Sequence, residues 1–196
     1  GVEFFPVRRM YDVVVGNRAL PAALETGISM LRAGQRAVIA TRKDRLEEDA
    51  GRFDYGESLH ADAIWNVEVH GVMRPYQLTI EERLEAAQIR KDWGNELFNQ
   101  QRYEEALDKY EQAFQVVRYN KDHPVAVKTK LVLHLNKAAC LQKVASREED
   151  WRSVVAECNS ALELRSSCVK AVFRRGQAYM ALNLTEEAIA DMRRVL

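Results

Sequence analysis

Five polar residues have types and spacings that suit the capture of a free peptide carboxylate: Lys91, Asn95, Asn136, Lys170 and Arg174. They supply three cations and two carboxamides, and they include no acid. Ammonium and guanidinium groups only donate hydrogen bonds, and a carboxamide can donate through its nitrogen. Hydrogen bonds from charged donors to a carboxylate are roughly twice as strong as those between neutral groups. The set is therefore a candidate site for a ligand that ends in a carboxylate.

The segments that carry these five residues predict helix-turn-helix repeats. The segment KDWGNELFNQQRYEEALDKYEQAF has small and aromatic residues at the positions of a tetratricopeptide unit, a repeat of about 34 residues. The segment KAVFRRGQAYMALNLTEEAIADM repeats the pattern, with Gly176 in the place of Gly94. A degenerate copy between them has Ala138 at that place and Trp151 where the first copy has Tyr103. The pattern predicts helices near 80–100, 103–119, 124–144, 147–163, 168–181 and 185–196, in three repeats at about 87–120, 131–166 and 169–196.

Two of the predicted helices have a start signal. Thr79 precedes Glu82 by three residues, and Ser146 precedes Glu149 by three, which is the spacing of a capping box. The chain stops within the sixth predicted helix, before any polar capping helix. Because terminal repeats normally carry such a cap, the sequence is expected to be a piece of a longer protein.

The three repeats resemble the tetratricopeptide domains of co-chaperones, which bind the C-terminal tails of heat-shock chaperones. In that class a carboxylate clamp takes lysine and asparagine from the first helix, asparagine from the third, and lysine and arginine from the fifth. KDWGN supplies Lys91 and Asn95, HLN supplies Asn136, and VKAVFR supplies Lys170 and Arg174. The resemblance implies binding to the C-terminal tail of the 90-kDa heat-shock chaperone. The 70-kDa chaperone is a second candidate partner, because both tails end in Glu-Glu-Val-Asp.

A plainer interpretation applies to each of these side chains taken alone. Lysine is nearly always exposed, so Lys91 or Lys170 by itself is expected to be an ordinary surface residue. The asparagines are more informative, because asparagine is only a middling helix former and two lie in the middle of predicted helices. A set of aromatic residues at helical spacing is expected to be mostly core, with one or two left to contact a peptide: Trp93, Phe98, Tyr110, Phe114, Phe173 and Tyr179.

The first 75 residues have the pattern of a small α+β domain. Short β-rich runs occur at 11–15, 36–41 and 63–72, and a short helix that ends at Gly34 is predicted between the first two. The segments VVVGNRALPAALETGISMLRAGQRAVI, DYGES and IWNVEVHGV resemble the second half of an FKBP-type immunophilin domain. The predicted fold is therefore an incomplete FKBP-like α+β domain at 1–75, with an antiparallel sheet and a short helix, followed by an all-α tetratricopeptide domain at 76–196.

The same resemblance implies a pocket that, in family members, holds a proline ring and twists the amide before it. The candidate pocket residues are Tyr55, Trp65, Leu24 and Leu20. Leu24 stands where the family usually has tryptophan, and Pro21 stands where a backbone N–H normally donates to the ligand, although proline has none. The pocket is therefore expected to be degenerate, and core packing is the simpler role for Tyr55 and Trp65. The alternative is an active peptidyl-prolyl cis-trans isomerase that uses the repeats to dock on the chaperone tail.

Composition narrows the function further. Lys+Arg and Asp+Glu both number 29, so the formal net charge is zero and no nucleic-acid partner is expected. No apolar run is long enough to span a bilayer. The three cysteines, Cys140, Cys158 and Cys168, are an odd number, and two of them lie at core-like helical positions, which favours reduced thiols and a cytoplasmic location. The histidines and cysteines have no metal-ligand spacing, so neither a metal nor a cofactor is expected.

Overall fold

The structure, a computed structural model, describes residues 20, 22–31, 35–41, 63–68 and 78–195. The chain divides into two compact units, Gly1–Met73 and Arg74–Leu196. The elements in chain order are α1 (Ala22–Ser29), β1 (Arg36–Thr41), β2 (Ala63–Glu68), α2 (Ile80–Asn99), α3 (Tyr103–Val117), α4 (Pro124–Val144), α5 (Glu148–Leu164), α6 (Val169–Ala181) and α7 (Thr185–Val195). All six helices predicted for the second unit are present, with every end within two residues of its predicted place. Among the described helices, none combines the length and the apolar character that a membrane crossing requires.

In the first unit, β1 and β2 form an antiparallel pair in which Ile39 lies opposite Trp65. Two of the predicted strands are confirmed in this way, whereas the run at 11–15 and residues 69–72 lie outside the described residues. The helix α1 packs against β1, and the contact is close at Gly27, where an added Cβ would lie 2.8 Å from Cδ1 of Ile39. The absence of a side chain at Gly27 therefore lets the helix approach the strand.

The end of α1 differs from the prediction. The helix ends at Ser29, not at Gly34. After it, the N–H of Met30 donates to the carbonyl of Gly27 (3.3 Å), and the N–H of Leu31 donates to that of Ile28 (3.0 Å). Such bonds to the third residue back tighten a final helical turn and close the helix. The prediction that the helix runs to the next glycine was wrong, because this local tightening ends it earlier.

The second unit is a stack of three antiparallel helix pairs. The helix α2 packs with α3, α4 with α5, and α6 with α7, while α3 meets α4 and α5 meets α6 between the pairs. The first helices of successive pairs also touch, α2 against α4 and α4 against α6. Residues on these first helices can therefore contribute to one shared surface.

The first predicted capping box is confirmed and the second is corrected. The Thr79 N–H donates to the Glu82 carboxylate (2.7 Å), and the Glu82 N–H donates to the Thr79 hydroxyl (3.2 Å). At α5 the acid is Asp150, not Glu149: its Oδ2 accepts the backbone N–H groups of Ser146 (3.0 Å) and Arg147 (2.9 Å). The prediction failed by one residue, because α5 begins at Glu148 and its third position is therefore Asp150.

Small residues on the first helices match the size of the side chains that face them. A Cβ added at Gly94 would lie 2.5 Å from Cε1 of Tyr110, and one added at Gly176 would lie 2.8 Å from Cε of Met192. In the middle pair, Ala138 packs in one buried cluster with Cys158, a smaller side chain that leaves room for the methyl group. The first and last repeats thus pair a glycine with a large side chain, whereas the middle repeat pairs an alanine with a small one.

Buried charged groups tie the last three helices together. Arg175 on α6 donates to both carboxylate oxygens of Asp191 on α7 (2.7 and 2.6 Å) and to the Asn159 side chain on α5 (2.7 Å). The Asp191 side chain is 4% exposed and that of Arg175 is 17% exposed. The hydrogen bond to Asp191 and its negative charge raise the pKa of Arg175, and burial opposes them.

A second ionic group links α3, α4 and α5. Lys137 lies 2.7 Å from both the Glu111 and the Glu157 carboxylates, and the Nδ1 of His134 lies 2.7 Å from Glu157. Burial raises the pKa of Glu157, but the hydrogen bonds and charges of His134 and Lys137 outweigh it and lower that pKa overall. His134 is thus packed within a helix pair and has an acidic partner, Glu157, that sequence spacing did not indicate.

Candidate carboxylate-binding site

The five candidate residues lie on the three first helices of the stack. Lys91 and Asn95 belong to α2, Asn136 belongs to α4, and Lys170 and Arg174 belong to α6. Each lysine is four residues before its partner, so the two members of each pair lie one above the other on one helix face. Because α4 contacts both α2 and α6, it carries Asn136 between the two outer pairs.

Two cross-helix hydrogen bonds bring the middle of this set together. The Asn136 Nδ2 donates to the Oδ1 of Asn95 (3.1 Å), which joins α4 to α2. The Arg174 Nη1 donates to the backbone carbonyl of Leu135 (3.2 Å), the residue before Asn136, and so joins α6 to α4. These bonds place three of the five predicted residues in one continuous patch, with Lys91 and Lys170 one turn upstream at either side.

The three cations differ in how far they are already engaged. The Lys91 Nζ donates to the Oε1 of Gln88 (2.9 Å) and lies 3.8 Å from the carboxylate of Asp92. Arg174 is half-buried and uses one N–H on the Leu135 carbonyl, which leaves further donors in its guanidinium fork. Lys170 is exposed and makes no hydrogen bond or ion pair to the described residues. Lys170 and Arg174 therefore have N–H donors available for a ligand. Lys91 would have to give up its hydrogen bond to Gln88 in order to bind one.

The sequence did not indicate two neighbours of this patch. The Tyr110 hydroxyl on α3 donates to the same Asn95 oxygen at 2.8 Å, whereas the sequence placed Tyr110 only in the set of mostly core aromatic residues. Asp92 lies beside Lys91 and places one acid at the edge of a set that contains none. The position of Asp92 next to Lys91 is evident from the sequence. The contact of the Tyr110 hydroxyl with Asn95 is not, because it depends on how α3 packs on α2.

The aromatic residues are largely core, as expected. Tyr110 is buried, while Trp93, Phe98 and Phe114 pack partly buried against the same cluster. Phe173 differs, because it is 44% exposed and directly precedes Arg174. Phe173 is therefore the member of the aromatic set best placed to contact an apolar residue of a ligand.

The candidate pocket of the first unit is described only in part. Leu24 on α1 is buried, and Leu20 and Trp65 are half-buried. The Nε1 of Trp65 is buried and has no hydrogen-bond partner in the described part of the chain. Tyr55 and Pro21 lie outside the described residues. The pocket therefore stays a prediction from the sequence.

Comparison with known proteins relates the chain to immunophilins. No family model matches it. The chain is 32% identical over 187 residues to the peptidyl-prolyl cis-trans isomerase FKBP42 of Arabidopsis thaliana, a match that covers 88% of this chain and 50% of that relative. The chain thus spans about half the length of this curated relative.

Two solved structures resemble the chain in both sequence and fold. A multi-domain immunophilin from Arabidopsis thaliana has a TM-score of 0.57 at 28% identity, covering 91% of this chain and 74% of that one. The Hsp90 co-chaperone Cns1 from Saccharomyces cerevisiae has a TM-score of 0.51 at 26% identity, covering 58% of this chain and 33% of that one.

Proposed function

We propose that this chain, which belongs to the FKBP-type immunophilins with a C-terminal tetratricopeptide domain, is a co-chaperone module that binds the acidic C-terminal tail of the 90-kDa heat-shock chaperone. The ligand groups are the terminal carboxylate of the tail and the side-chain carboxylate of its last aspartate. The binding residues are Lys91, Asn95, Asn136, Lys170 and Arg174.

The observation that carries this proposal is the patch in which Asn95, Asn136 and Arg174 are joined across three helices. Each of the three still has a donor available for a ligand, and the two lysines add charge at either side. Two carboxylates close together on a peptide need several donors within a few ångströms, preferably charged ones. A patch of this composition favours a doubly charged carboxylate end over a neutral ligand.

The likeness to known proteins supports the same class of partner. The solved structure of Cns1 is that of an Hsp90 co-chaperone, and it resembles more than half of this chain. The 70-kDa chaperone tail ends in the same four residues, so it is the second candidate ligand. Competition between the two tail peptides for the repeats would rank them.

Binding of a peptide that ends in Glu-Glu-Val-Asp should weaken as salt concentration rises. We expect one site with a dissociation constant near 1 μM, which corresponds to about −8 kcal/mol. Because the charges face solvent, raising the salt from about 0.1 M to 1 M shortens the Debye length from ~10 Å to ~3 Å and should lower the affinity severalfold. Titration calorimetry at the two salt concentrations measures this change, with helical melting in the same buffers as the control. Affinity that does not depend on salt would indicate an apolar groove and a different class of ligand.

Prolyl isomerisation is the second candidate function, because the Arabidopsis relative is a peptidyl-prolyl cis-trans isomerase. We propose that the FKBP-like unit of this protein has lost that activity. Leu24 offers a smaller and less flat surface than the tryptophan usual in the family, and it is 4% exposed, so little of it is available to a proline ring. Pro21 has no N–H with which to hold the ligand carbonyl.

The full-length protein should therefore isomerise a prolyl peptide no faster than the uncatalysed reaction, which takes tens to hundreds of seconds. A protease-coupled isomerisation assay measures this rate, with the Trp65→Ala variant as the matched comparison. Rapid catalysis by the natural sequence that Trp65→Ala abolishes would overturn the proposal and establish an active isomerase.

A further inference from the structure

The side chain of Tyr110 is held rigidly between the first two helices of the stack. It lies on α3, is 2% exposed, and packs in the core cluster of the first repeat. Its ring lies directly on Gly94 of α2, where an added Cβ would approach Cε1 to 2.5 Å. The ring therefore has little room to move, and its hydroxyl has one fixed position beside Asn95.

That hydroxyl and one amide share a single acceptor. The Tyr110 hydroxyl donates to the Oδ1 of Asn95 at 2.8 Å, and the Asn136 Nδ2 donates to the same oxygen at 3.1 Å. A carboxamide oxygen has two lone pairs, so these two donors fill it. The Asn95 NH₂ group lies on the other side of the amide and has no acceptor in the described part of the chain.

From this geometry we propose that Tyr110 is a positioning residue of the carboxylate site, because its hydroxyl fixes the Asn95 amide with the NH₂ group turned toward the ligand. The inference rests on the proposed function. A carboxylate only accepts hydrogen bonds, so Asn95 can contribute only when its nitrogen, and not its oxygen, faces the ligand.

The hydroxyl is needed because the two asparagines alone do not set this orientation. If Asn95 and Asn136 both turned over, the Asn95 nitrogen would donate to the Asn136 oxygen, and the bond between them would be preserved. In that arrangement the Asn95 oxygen would face the carboxylate. The Tyr110 hydroxyl would then lose its 2.8 Å bond to the Asn95 oxygen and would have to turn its hydrogen toward the Asn136 side chain, which also interacts with it. The bond to the Asn95 oxygen thus favours the arrangement in which the Asn95 NH₂ group faces the ligand.

Two further features support this role. Burial raises the pKa of Tyr110 well above its ordinary value, so the hydroxyl keeps its proton and remains a donor at physiological pH. The residues at the same place in the other two repeats are Cys158 and Met192, seven residues after Trp151 and Thr185 as Tyr110 is seven after Tyr103. Neither has a hydroxyl, so only the first repeat can orient an asparagine in this way.

Tyr110→Phe removes the hydroxyl and keeps the ring, and Tyr103→Phe is the matched control on the same helix. Tyr103 packs edge-on against Phe98, with ring centroids 5.2 Å apart, and its hydroxyl makes no hydrogen bond to the described residues. By calorimetry, Tyr110→Phe should weaken binding of the free-acid tail peptide about fivefold, the effect of one hydrogen bond. Binding of the C-terminally amidated peptide should change far less. Tyr103→Phe should bind both peptides as the natural sequence does.

A double-mutant cycle with Asn95→Ala separates positioning from a general loss of packing. When Asn95 is absent, Tyr110→Phe should cause no further loss of affinity, so the two changes should be strongly non-additive. Additive losses, or unchanged free-acid binding by Tyr110→Phe, would overturn the inference. If the natural sequence itself bound both peptides equally, the proposed function would fail instead.

Side-chain amide NMR of the natural sequence gives an independent test that needs no variant. The Asn95 NH₂ signals should shift strongly on addition of the free-acid peptide and only slightly with the amidated peptide. Equal shifts with both peptides would overturn the assigned orientation.

Discussion

Replacing Arg174 by glutamate should weaken binding of the free-acid tail peptide by at least about 100-fold, more than replacement by alanine does. Two unit charges 4 Å apart interact by about 1 kcal/mol in water and ~4 kcal/mol at an effective dielectric constant of 20. Reversing the charge both removes this attraction and adds a repulsion, and 100-fold corresponds to only about 2.7 kcal/mol. Titration calorimetry with the natural sequence, Arg174→Ala and Arg174→Glu measures the order of the three affinities.

Arg193→Glu is the matched control for this experiment. Arg193 is an exposed cation on α7, the second helix of the same repeat, and is not among the candidate residues. The Arg193→Glu variant should leave peptide affinity nearly unchanged. All three variants should keep a cooperative helical melting transition, because the Arg174 side chain makes one hydrogen bond to the described residues, to the Leu135 carbonyl. Binding by Arg174→Glu within about twofold of the natural sequence would contradict the assignment of Arg174 to the site.

Asp191→Ala should destabilise the repeats by about 3 kcal/mol, the lower end of the range for breaking a buried ion pair by removing one partner. The variant leaves the Arg175 guanidinium largely buried; among the described residues it keeps a hydrogen bond to the Asn159 side chain and a contact with the Tyr179 ring. The lower end of that range applies because the Arg175 side chain is 17% exposed and so keeps some contact with water. Urea denaturation followed by circular dichroism measures the free energy of unfolding.

Two comparisons isolate the buried charge as the cause. Glu186→Ala removes an exposed acid from the first turn of the same helix and should change stability by less than about 1 kcal/mol, the range for a charge near a helix N-terminus. The double variant Arg175→Met with Asp191→Leu replaces the whole pair by apolar groups and should recover most of the loss, as replacement of buried pairs often does. A single variant Asp191→Ala as stable as the natural sequence would show that the pair contributes little to the stack.

The helices of the second unit were predictable because their signals are local. Small residues such as Gly94 and Gly176 mark where paired helices approach, and the capping box at Thr79 fixes the start of α2. The capping box of α5 was predicted one residue too early, because the backbone N–H groups bind Asp150 and the sequence has Glu149 directly before it.

The positions of the candidate site residues followed from the repeat, but their mutual contacts did not. Repeat spacing puts Asn95 and Asn136 on neighbouring helices, yet it does not reveal that one amide donates to the other. The reach of the Tyr110 hydroxyl depends on side-chain packing between residues far apart in the sequence. Likewise, nothing local to Arg175 indicates that its partner is Asp191, sixteen residues later on the next helix.

In the first unit, short β-rich runs predicted the strands, but the sequence did not predict where the helix ends. The run RAVIAT pairs with AIWNVE as an antiparallel ladder, which places Ile39 opposite Trp65. The end of α1 at Ser29 depends on hydrogen bonds back to Gly27 and Ile28, and no residue type marks it. A prediction based on the next glycine therefore overshot.

The most direct measurement of the central claim compares two forms of one peptide by titration calorimetry: a peptide ending in Glu-Glu-Val-Asp with a free C-terminal carboxylate, and the same peptide amidated. Amidation removes one of the two charges that the lysines, Arg174 and the asparagines are proposed to hold. The free acid should bind at a single site with a dissociation constant near 1 μM. The amidated peptide should bind at least about 30-fold more weakly, a loss of ~2 kcal/mol that matches one charged hydrogen-bonding group. Equal affinity for the two peptides would contradict the carboxylate site.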